Sequence, residues 1–207
     1  MRELLVATRN PGKLVELRRL LETEHVAGVR VLGLADVPEF PEEPETGATF
    51  AENALAKARD AVKATGLPAV ADDSGLAVDA LNGMPGVLSA RWSGRHGEDR
   101  ANLELVLGQL ADVPDDRRGA AFVCAAALAV PGGVGSNGDE VVVHGEWTGR
   151  LTRSPRGENG FGYDPVFVPF GEERTAAELA PEEKDALSHR GRAMRALLPH
   201  LRALGGG

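Results

Sequence analysis

The 207-residue sequence predicts an α/β fold with a mixed β-sheet. Apolar runs of strand length recur along the chain, and segments with helical periodicity separate most of them. Hydrophobic residues make up 43% of the chain, which is enough for a sizeable core. This length suits one domain or two closely packed lobes, and we expect a single domain over residues 1–207.

The first half of the chain is expected to contain two helices and several strands. Apolar runs predict strands at 4–7, 29–34, 69–71 and 76–81. A helix is predicted at 11–22, because Asn10 is a favourable N-cap and proline is favoured at the first helical position. A second helix is predicted from 49 to 65, and Gly66 ends it.

The second half of the chain continues the alternation. A helix is predicted at 99–110, where one helical face carries Leu103, Val106, Leu107 and Leu110. Further strands are predicted at 120–130, 141–148 and 166–168, and the first two could pair across the turn at 131–138. Residues 175–204 are expected to be mostly helical.

The charge balance excludes some classes of partner. Aspartate and glutamate number 31 against 23 lysines and arginines, which gives a net charge of −8. This balance argues against a surface that coats nucleic acid, but a small phosphorylated ligand needs only a local basic pocket. No apolar run approaches the roughly 18–20 residues that span a bilayer, and the sequence starts without the apolar segment of a signal peptide. We therefore expect a cytoplasmic protein without a membrane or nucleic-acid partner.

Cysteine and lysine are rare in this chain. The single cysteine, Cys124, lies in an apolar run and is expected to be a buried, inert thiol. The basic residues comprise 19 arginines and only four lysines, namely Lys13, Lys57, Lys63 and Lys184. A lysine in such a chain can mark a place where a compact ammonium works and a planar guanidinium does not, although chance explains the pattern equally well.

A first candidate site lies between the first strand and the first helix. It consists of Thr8-Arg9-Asn10-Pro11-Gly12-Lys13. The start of a helix presents unbonded N–H groups and a partial positive charge, so phosphates bind there readily. Lys13 adds a full charge, and Gly12 allows a close approach. A capped strand-to-helix turn without a ligand is the alternative interpretation.

A second candidate site is acidic. Asp72 and Asp73 are predicted at the end of the third strand, where α/β folds place their ligands. An acidic loop precedes the second helix and carries Glu39, Glu42, Glu43 and Glu45. Magnesium prefers one or two carboxylates together with water and substrate phosphates, and Asp73 with one of these glutamates meets that need. An ordinary turn and a solvated loop are the alternatives.

A third group of residues lies near the C-terminus. Gly160-Phe161-Gly162-Tyr163-Asp164-Pro165 places aromatic rings between glycines, which suits base stacking as well as a tight turn. On one continuous helix Lys184 and Arg190 would lie about 120° apart. A break near Ser188, with Ser188 capping a final helix, would let Lys184, His189 and Arg190 converge. The alternative is a solvated basic cluster.

Together these segments resemble the inosine triphosphatase, or non-canonical purine NTP pyrophosphatase, family in order and over nearly the whole chain. The first segment is similar to its phosphate loop. The family's other motifs are similar to Glu45-x-Gly47-x-Thr49-Phe50-x-Glu52-Asn53-Ala54-x-x-Lys57-Ala58, Ala71-Asp72-Asp73-Ser74-Gly75-Leu76, Pro85-Gly86-x-x-Ser89-Ala90-Arg91, the segment 160–165 and Glu183-Lys184-x-x-x-Ser188-His189-Arg190.

The resemblance implies an elongated fold of two lobes around a long mixed sheet, with a central substrate cleft, in a homodimer. It implies Mg²⁺-dependent hydrolysis of inosine and xanthosine triphosphates to the monophosphate and pyrophosphate. Asp73 would bind Mg²⁺ and activate water, and Glu45 would be the second metal ligand, with Glu39, Glu42 and Glu43 as alternatives. The residues implied to contact substrate are Thr8, Arg9, Asn10, Pro11, Gly12, Lys13, Asn53, Lys57, Ser74, Phe161, Gly162, Tyr163, Asp164, Lys184, His189 and Arg190.

Two other functions fit parts of the sequence. An aspartyl phosphatase would use an apolar strand that ends in acids, but that chemistry usually needs Asp-x-Asp, and this chain has Asp72-Asp73-Ser74. A nucleotide sensor would bind inosine triphosphate without turning it over. Release of intact pyrophosphate distinguishes the predicted enzyme from both.

Overall fold

The structure is a computed structural model that describes residues 1–41, 43–132 and 138–206. Its strands and helices alternate as predicted, which confirms the α/β class. In chain order they are β1 (Arg2–Val6), α1 (Pro11–Thr23), β2 (Val29–Leu32), α2 (Phe50–Thr65), β3 (Ala69–Val78), α3 (Asp99–Gln109), β4 (Gly119–Ala129), β5 (Glu140–Leu151), β6 (Phe167–Pro169), α4 (Pro181–Leu187) and α5 (His189–Gly205).

The strands form one six-stranded sheet in the order β2-β1-β3-β4-β5-β6. β1 pairs in parallel with both β2 and β3, whereas β5 and β6 are antiparallel. The predicted mixed sheet is therefore confirmed. The turn predicted between β4 and β5 falls largely outside the described residues, but the Val130 amide donates to the Asp139 carbonyl at 2.9 Å beside it.

The strand β3 differs from the prediction. Separate strands at 69–71 and 76–81, with Asp72 and Asp73 at a strand end, were wrong, because β3 runs without interruption from Ala69 to Val78. The backbone continues past the aspartates because the protein supplies partners for polar groups along the strand. One of them is Ser89, whose hydroxyl accepts a hydrogen bond from the Leu76 amide at 2.9 Å.

The termini of the first two helices are capped, and the caps at Asn10 and Gly66 follow the predicted signals. The Asn10 side chain accepts from the Gly12 amide at 2.9 Å and begins α1. Thr49 begins α2 with a capping box, in which its hydroxyl accepts from the Glu52 amide and the Glu52 carboxylate accepts from the Thr49 amide. Gly66 ends α2 with a φ of +71°, a left-handed conformation that glycine adopts at little cost.

The break near Ser188, which the sequence left open, is present. Ser188 has an extended conformation (φ −64°, ψ 156°) between α4 and α5. Its hydroxyl accepts from the Gly191 amide at 3.0 Å, as the side chain at a helix N-cap does. A side chain at position 191 would overlap the Asp185 carbonyl, so the break requires glycine there.

The chain divides into two compact units. Unit 1 comprises the described residues of Met1–Asp73, Cys124–Gly145 and Arg192–Gly207, and unit 2 comprises Ser74–Val123 and Glu146–Gly191. The main core of unit 1 packs α1 and α5 against sheet residues such as Leu4 and Val70, and the core of unit 2 surrounds Leu76, Val106 and Phe167.

Cys124 lies in the core of unit 1. It is fully buried, and burial raises the pKa of its thiol well above the ordinary value. The predicted buried thiol is thereby confirmed. Within the described ranges of the chain, no helix combines the length and apolar character needed to cross a membrane.

Candidate functional site

The two adjacent aspartates of β3 meet different helices of unit 1. Successive side chains of a strand point to opposite faces of the sheet, so neighbouring carboxylates are separated. The Asp72 Oδ2 atom lies 2.5 Å from the Lys13 Nζ of α1, and the Asp72 side chain is only 2% exposed. The Asp73 Oδ2 atom accepts from the Asn53 Nδ2 of α2 at 2.9 Å. The strand therefore gives the two carboxylates different partners.

Asp73, Lys57 and Glu45 form a charged cluster in unit 1. The Lys57 Nζ lies 2.7 Å from Glu45 Oε1 and 3.8 Å from Asp73 Oδ1. Burial raises the pKa of Asp73, although the charge of Lys57 and the hydrogen bond from Asn53 oppose that rise. Burial alone would lower the pKa of Lys57, but the charges of Asp73 and Glu45 outweigh it and raise that pKa. A buried carboxylate with a raised pKa is a suitable proton acceptor.

Asn53 is held in one orientation by the start of α2. Its Oδ1 atom accepts from the Gly47 amide at 2.8 Å, so its Nδ2 is directed to Asp73. A side chain at position 47 would overlap the Asn53 amide, which explains why a glycine lies there. This contact explains why Gly47 and Asn53 occur together in one predicted motif.

The predicted phosphate loop lies at the start of α1. Thr8 and Asn10 are partly buried, Arg9 and Gly12 are exposed, and the Asn10 amide donates to the Thr8 hydroxyl at 3.2 Å. Pro11 begins the helix. The thirteen-residue helix directs its first amides to this loop, as the sequence reasoning required. Phosphate binding here stays a prediction.

The acidic loop borders a cavity of about 440 Å³ in unit 1. Glu39 and Glu43 line this cavity together with Arg9 and Lys57, and Glu45 contacts Lys57 directly. Glu42, the fourth glutamate considered, lies outside the described residues.

Two carboxylates of this region are candidate ligands for a divalent metal ion. In the described part of the chain, no three or more His, Cys, Asp or Glu side chains form a group that could hold a metal. Asp73 and Glu45 both pair with the Lys57 ammonium group, so two carboxylates lie beside the same positive charge. Two carboxylates are the number that Mg²⁺ uses when phosphates and water complete its shell.

The glycine-rich loop of unit 2 exposes one aromatic ring. Phe161 is 58% exposed, and its ring centroid lies 4.9 Å from the Lys184 Nζ. The Asp164 carboxylate, which is almost fully buried, accepts from the Phe161 amide at 2.8 Å and pairs with Lys184. A side chain at position 160 would overlap Asp164, and Gly160 has a φ of +77°. The loop thus holds Phe161 above a lysine.

Tyr163 and Gly162 have different surroundings from Phe161. Tyr163 is buried, and its hydroxyl donates to the Ser89 carbonyl at 2.8 Å. Its ring therefore packs in the core of unit 2, which leaves Phe161 as the exposed aromatic ring of the loop. The Gly162 amide donates to the Asp99 carboxylate of α3 at 2.9 Å.

The remaining predicted residues flank the start of α5 or lie on β3. The His189 ring stacks on Phe122, with centroids 4.9 Å apart and planes 13° from parallel. Arg190 is only 6% exposed, and burial lowers its pKa to about 9. Ser74 follows Asp73 in β3 and is partly buried. The convergence of Lys184, His189 and Arg190 on one ligand stays a prediction.

Comparisons with known proteins agree with the motif order. The sequence model of the Ham1 family matches residues 4–200. This chain belongs to the Ham1 family. It is 67% identical over 204 residues to the dITP/XTP pyrophosphatase of Nocardia farcinica, covering 99% of this chain and 97% of that protein.

Solved structures give the same family. The nucleoside-triphosphatase/dITP/XTP pyrophosphatase of Mycobacterium abscessus is 66% identical, with a TM-score of 0.78 over 96% of this chain and 99% of that one. A Ham1 protein from Coxiella burnetii is 43% identical, with a TM-score of 0.86 over 98% and 100% of the two chains. The predicted pyrophosphatase family is thereby confirmed.

Sequence reasoning missed three residues that shape the loops of this Ham1 chain. Asp99 holds the Gly162 amide, and Asn102, which is 1% exposed, accepts from the Ser93 amide at 2.7 Å. Arg118 is 2% exposed and donates to the carbonyls of Leu110, Leu151 and Thr152. A polar residue inside the apolar face of a helix was a usable signal for Asn102. Nothing in the sequence near Arg118 distinguishes it from a solvated arginine.

Proposed function

We propose that this chain hydrolyses non-canonical purine nucleoside triphosphates, namely inosine triphosphate, its deoxyribo-form and xanthosine triphosphate, to the monophosphate and pyrophosphate. The observation that carries the proposal is the Asp73–Asn53–Lys57–Glu45 cluster in a chain of the Ham1 family. The relatives named dITP/XTP pyrophosphatase support the same reaction.

The triphosphate would contact the start of α1 and the lysines of unit 1. Amides at a helix N-terminus attract anions, and Lys13 and Lys57 supply full positive charges. Lys13 is held by Asp72, which limits the positions of its ammonium group before a ligand arrives. Thr8 and Asn10 add hydrogen-bonding groups, and Gly12 leaves room for a phosphate near the backbone. We assign Arg9, Pro11, Asn53 and Ser74 to the same substrate contacts.

Asp73 and Glu45 would hold Mg²⁺. When bound, the metal neutralises phosphate charge and favours an attacking water. Lys57 pairs with both carboxylates. When substrate binds, it would lose part of these ion pairs and contact the phosphates instead. Glu39 and Glu43 stay alternatives for the second ligand, since both line the cavity that Lys57 also borders.

Asp73 would accept the proton of the attacking water. The water oxygen forms a bond to the α-phosphorus, the bond from that phosphorus to the bridging oxygen breaks, and pyrophosphate leaves. An ionised carboxylate beside the bound metal and the attacking water is suited to this role. Asn53 would hold the carboxylate in place while the proton moves.

The base would contact unit 2 residues. The exposed Phe161 ring offers a stacking surface, and Gly162, Tyr163, Asp164, Lys184, His189 and Arg190 complete the set that we assign to base and sugar. Arg190 and backbone amides can only donate hydrogen bonds, which suits the 6-oxo group of hypoxanthine and xanthine and opposes the 6-amino group of adenine. We therefore expect ATP to be among the poorest substrates. Guanine carries the same 6-oxo group, so the expected order of inosine and xanthosine triphosphates above GTP requires a further discrimination against its 2-amino group.

The proposal is tested by a pyrophosphate-release assay on a panel of nucleoside triphosphates, with Mg²⁺ and with EDTA. We expect stoichiometric monophosphate and intact pyrophosphate from inosine triphosphate, and activity only with the metal. Release of inorganic phosphate with a trapped phospho-enzyme would favour an aspartyl phosphatase, and binding without turnover would indicate a sensor.

The metal ligand is tested in the same assay. Glu45→Gln should raise the Mg²⁺ concentration needed for half-maximal rate by about tenfold, the lower end for weakening a metal site. Glu39→Gln and Glu43→Gln are the matched variants, and a larger shift in either one would transfer the role to that residue. We further propose that the chain is cytoplasmic and forms a homodimer. Sedimentation of the purified protein tests the oligomeric state.

A further inference from the structure

The loop that carries Phe161 contains two glycines in the left-handed region, at φ +77° for Gly160 and +61° for Gly162. Glycine lowers the energetic cost of these backbone conformations. It also allows a loop without further hydrogen bonds to adopt many other conformations. A ring on such a loop has a defined position only if other groups hold the backbone beside it. The hydrogen bonds of the loop therefore determine how well Phe161 can serve as a stacking surface.

Two carboxylates hold consecutive amides of this loop. Asp164 accepts from the Phe161 amide at 2.8 Å, and Asp99 accepts from the Gly162 amide at 2.9 Å. The first bond spans three residues and closes the loop on itself. The second spans 63 residues and connects the loop to the first residue of α3. Asp99 therefore fixes the peptide that follows Phe161 relative to a helix.

Asp99 is suited to this contact by its place in α3. An acidic side chain in the first turn of a helix is stabilised by the positive end of the helix dipole. The far end of the loop is held separately, because the Tyr163 hydroxyl donates to the Ser89 carbonyl at 2.8 Å. The N–H that Asp99 holds belongs to the Phe161–Gly162 peptide itself, and the orientation of this peptide sets the direction of the Phe161 ring.

We propose that Asp99 is a positioning residue that holds Phe161 for base stacking through its hydrogen bond with the Gly162 amide. The inference rests on the base-binding role proposed for Phe161. It predicts that Asp99 affects the affinity for the base and leaves the hydrolytic step in unit 1 unchanged. It also predicts that the acceptor oxygen matters more than the negative charge.

The test compares Asp99→Ala with Asp99→Asn, whose amide oxygen can still accept from the Gly162 amide. Loss of a complete stacking contact weakens base binding by roughly 5- to 150-fold. A misplaced ring should lose part of that, so Asp99→Ala should weaken binding of inosine monophosphate, measured by calorimetry, by about 5- to 20-fold. Asp99→Asn should recover most of the affinity. For inosine triphosphate hydrolysis, KM should rise with Asp99→Ala and kcat should stay within about twofold.

Two controls separate positioning from general damage to α3. Glu98→Ala removes an equal charge one residue earlier, from a side chain that makes no capping hydrogen bond, and should leave the affinity unchanged. Inorganic tripolyphosphate has no base, so its inhibition constant should be the same for Asp99→Ala and the wild-type chain. An equal loss for tripolyphosphate and inosine monophosphate would overturn the inference.

A double-mutant comparison shows whether Asp99 acts through the ring. In a Phe161→Ala background, Asp99→Ala should cause no further loss of inosine monophosphate binding. An undiminished second loss would overturn the inference. The proposed function has its own test, since it fails if the wild-type chain releases no pyrophosphate. Binding of inosine monophosphate is measured without turnover, so the test of Asp99 does not depend on that result.

Discussion

Units 1 and 2 each pair aspartates with lysines, but they build the pairs on different kinds of structure. In unit 1, Asp72 and Asp73 lie on a ten-residue strand and meet lysines from the long helices α1 and α2. In unit 2, Asp164 follows a glycine-rich loop and meets Lys184 from the seven-residue helix α4. The same kind of ion pair thus joins a strand to long helices in unit 1 and a loop to a short helix in unit 2.

The difference matches the two tasks that we propose. A proton acceptor and a metal site need carboxylates held within small tolerances, and strands and long helices provide that precision. Recognition of a base can be carried by a loop that a scaffold holds in place. In unit 2 the buried Asp164 serves this purpose, because it secures both the Phe161 backbone and the lysine below the ring. Single substitutions can test this assignment of chemistry to unit 1 and selectivity to unit 2.

The largest expected effect is on turnover, through Asp73. Asp73→Asn keeps the shape of the side chain and removes the negative charge and the base. The value of kcat for inosine triphosphate should fall at least about 10²-fold, the lower end for a lost general base. Steady-state pyrophosphate release at saturating Mg²⁺ measures it.

Asp72→Asn is the control for Asp73, since it changes the neighbouring carboxylate on the same strand. Asp72 pairs with Lys13, whereas Asp73 contacts Asn53 and Lys57, so loss of the Asp72 charge should cost less turnover. If Asp72→Asn is the more damaging change, the roles of the two aspartates are reversed.

The next effect is on triphosphate affinity, through Lys13. Lys13→Ala should weaken substrate binding by about 1.5–3 kcal/mol, which is the contribution of a hydrogen bond to a charged group and corresponds to roughly 10- to 150-fold. It should also destabilise the fold, because it removes a partner of a buried carboxylate, Asp72. Substrate affinity and thermal unfolding measure the two effects.

The double variant Lys13→Ala with Asp72→Asn separates those two effects. It should recover stability, because the buried charge is gone, and it should stay a weak binder. Lys63→Ala, at an exposed position of α2, is the matched lysine control and should resemble the wild-type chain. Full affinity in Lys13→Ala would remove Lys13 from the site.

The smallest of these effects is on selectivity, through Arg190. Arg190→Ala should lower kcat/KM for inosine triphosphate about 10- to 100-fold more than for ATP, because only the 6-oxo base loses a complementary donor. The side chain is buried, so Arg190→Met, which better fills the space, accompanies it and should show the same change in ratio. Equal losses for both nucleotides would indicate that Arg190 holds phosphate or structure and does not read the base.

The sequence by itself determined the features that depend on neighbouring residues. Asn10, Thr49, Gly66 and Ser188 mark the helix ends, because a cap needs only its own side chain and an amide two or three residues away. Motif order was sufficient for the family, and family resemblance named the candidate site residues.

Only the tertiary structure decided how β3 passes through its aspartates and which partner each one meets. A sequence of two aspartates, a serine and a glycine is equally compatible with a turn. In the strand, the polar groups of this segment bond to side chains from distant segments of the chain. These side chains include Lys13, Asn53, Lys57 and Ser89. The bond from Gly162 to Asp99 has the same origin, because it joins residues 63 positions apart, which no local pattern encodes. Contacts of this kind depend on how helices and strands pack together, so they become visible only when the chain is folded.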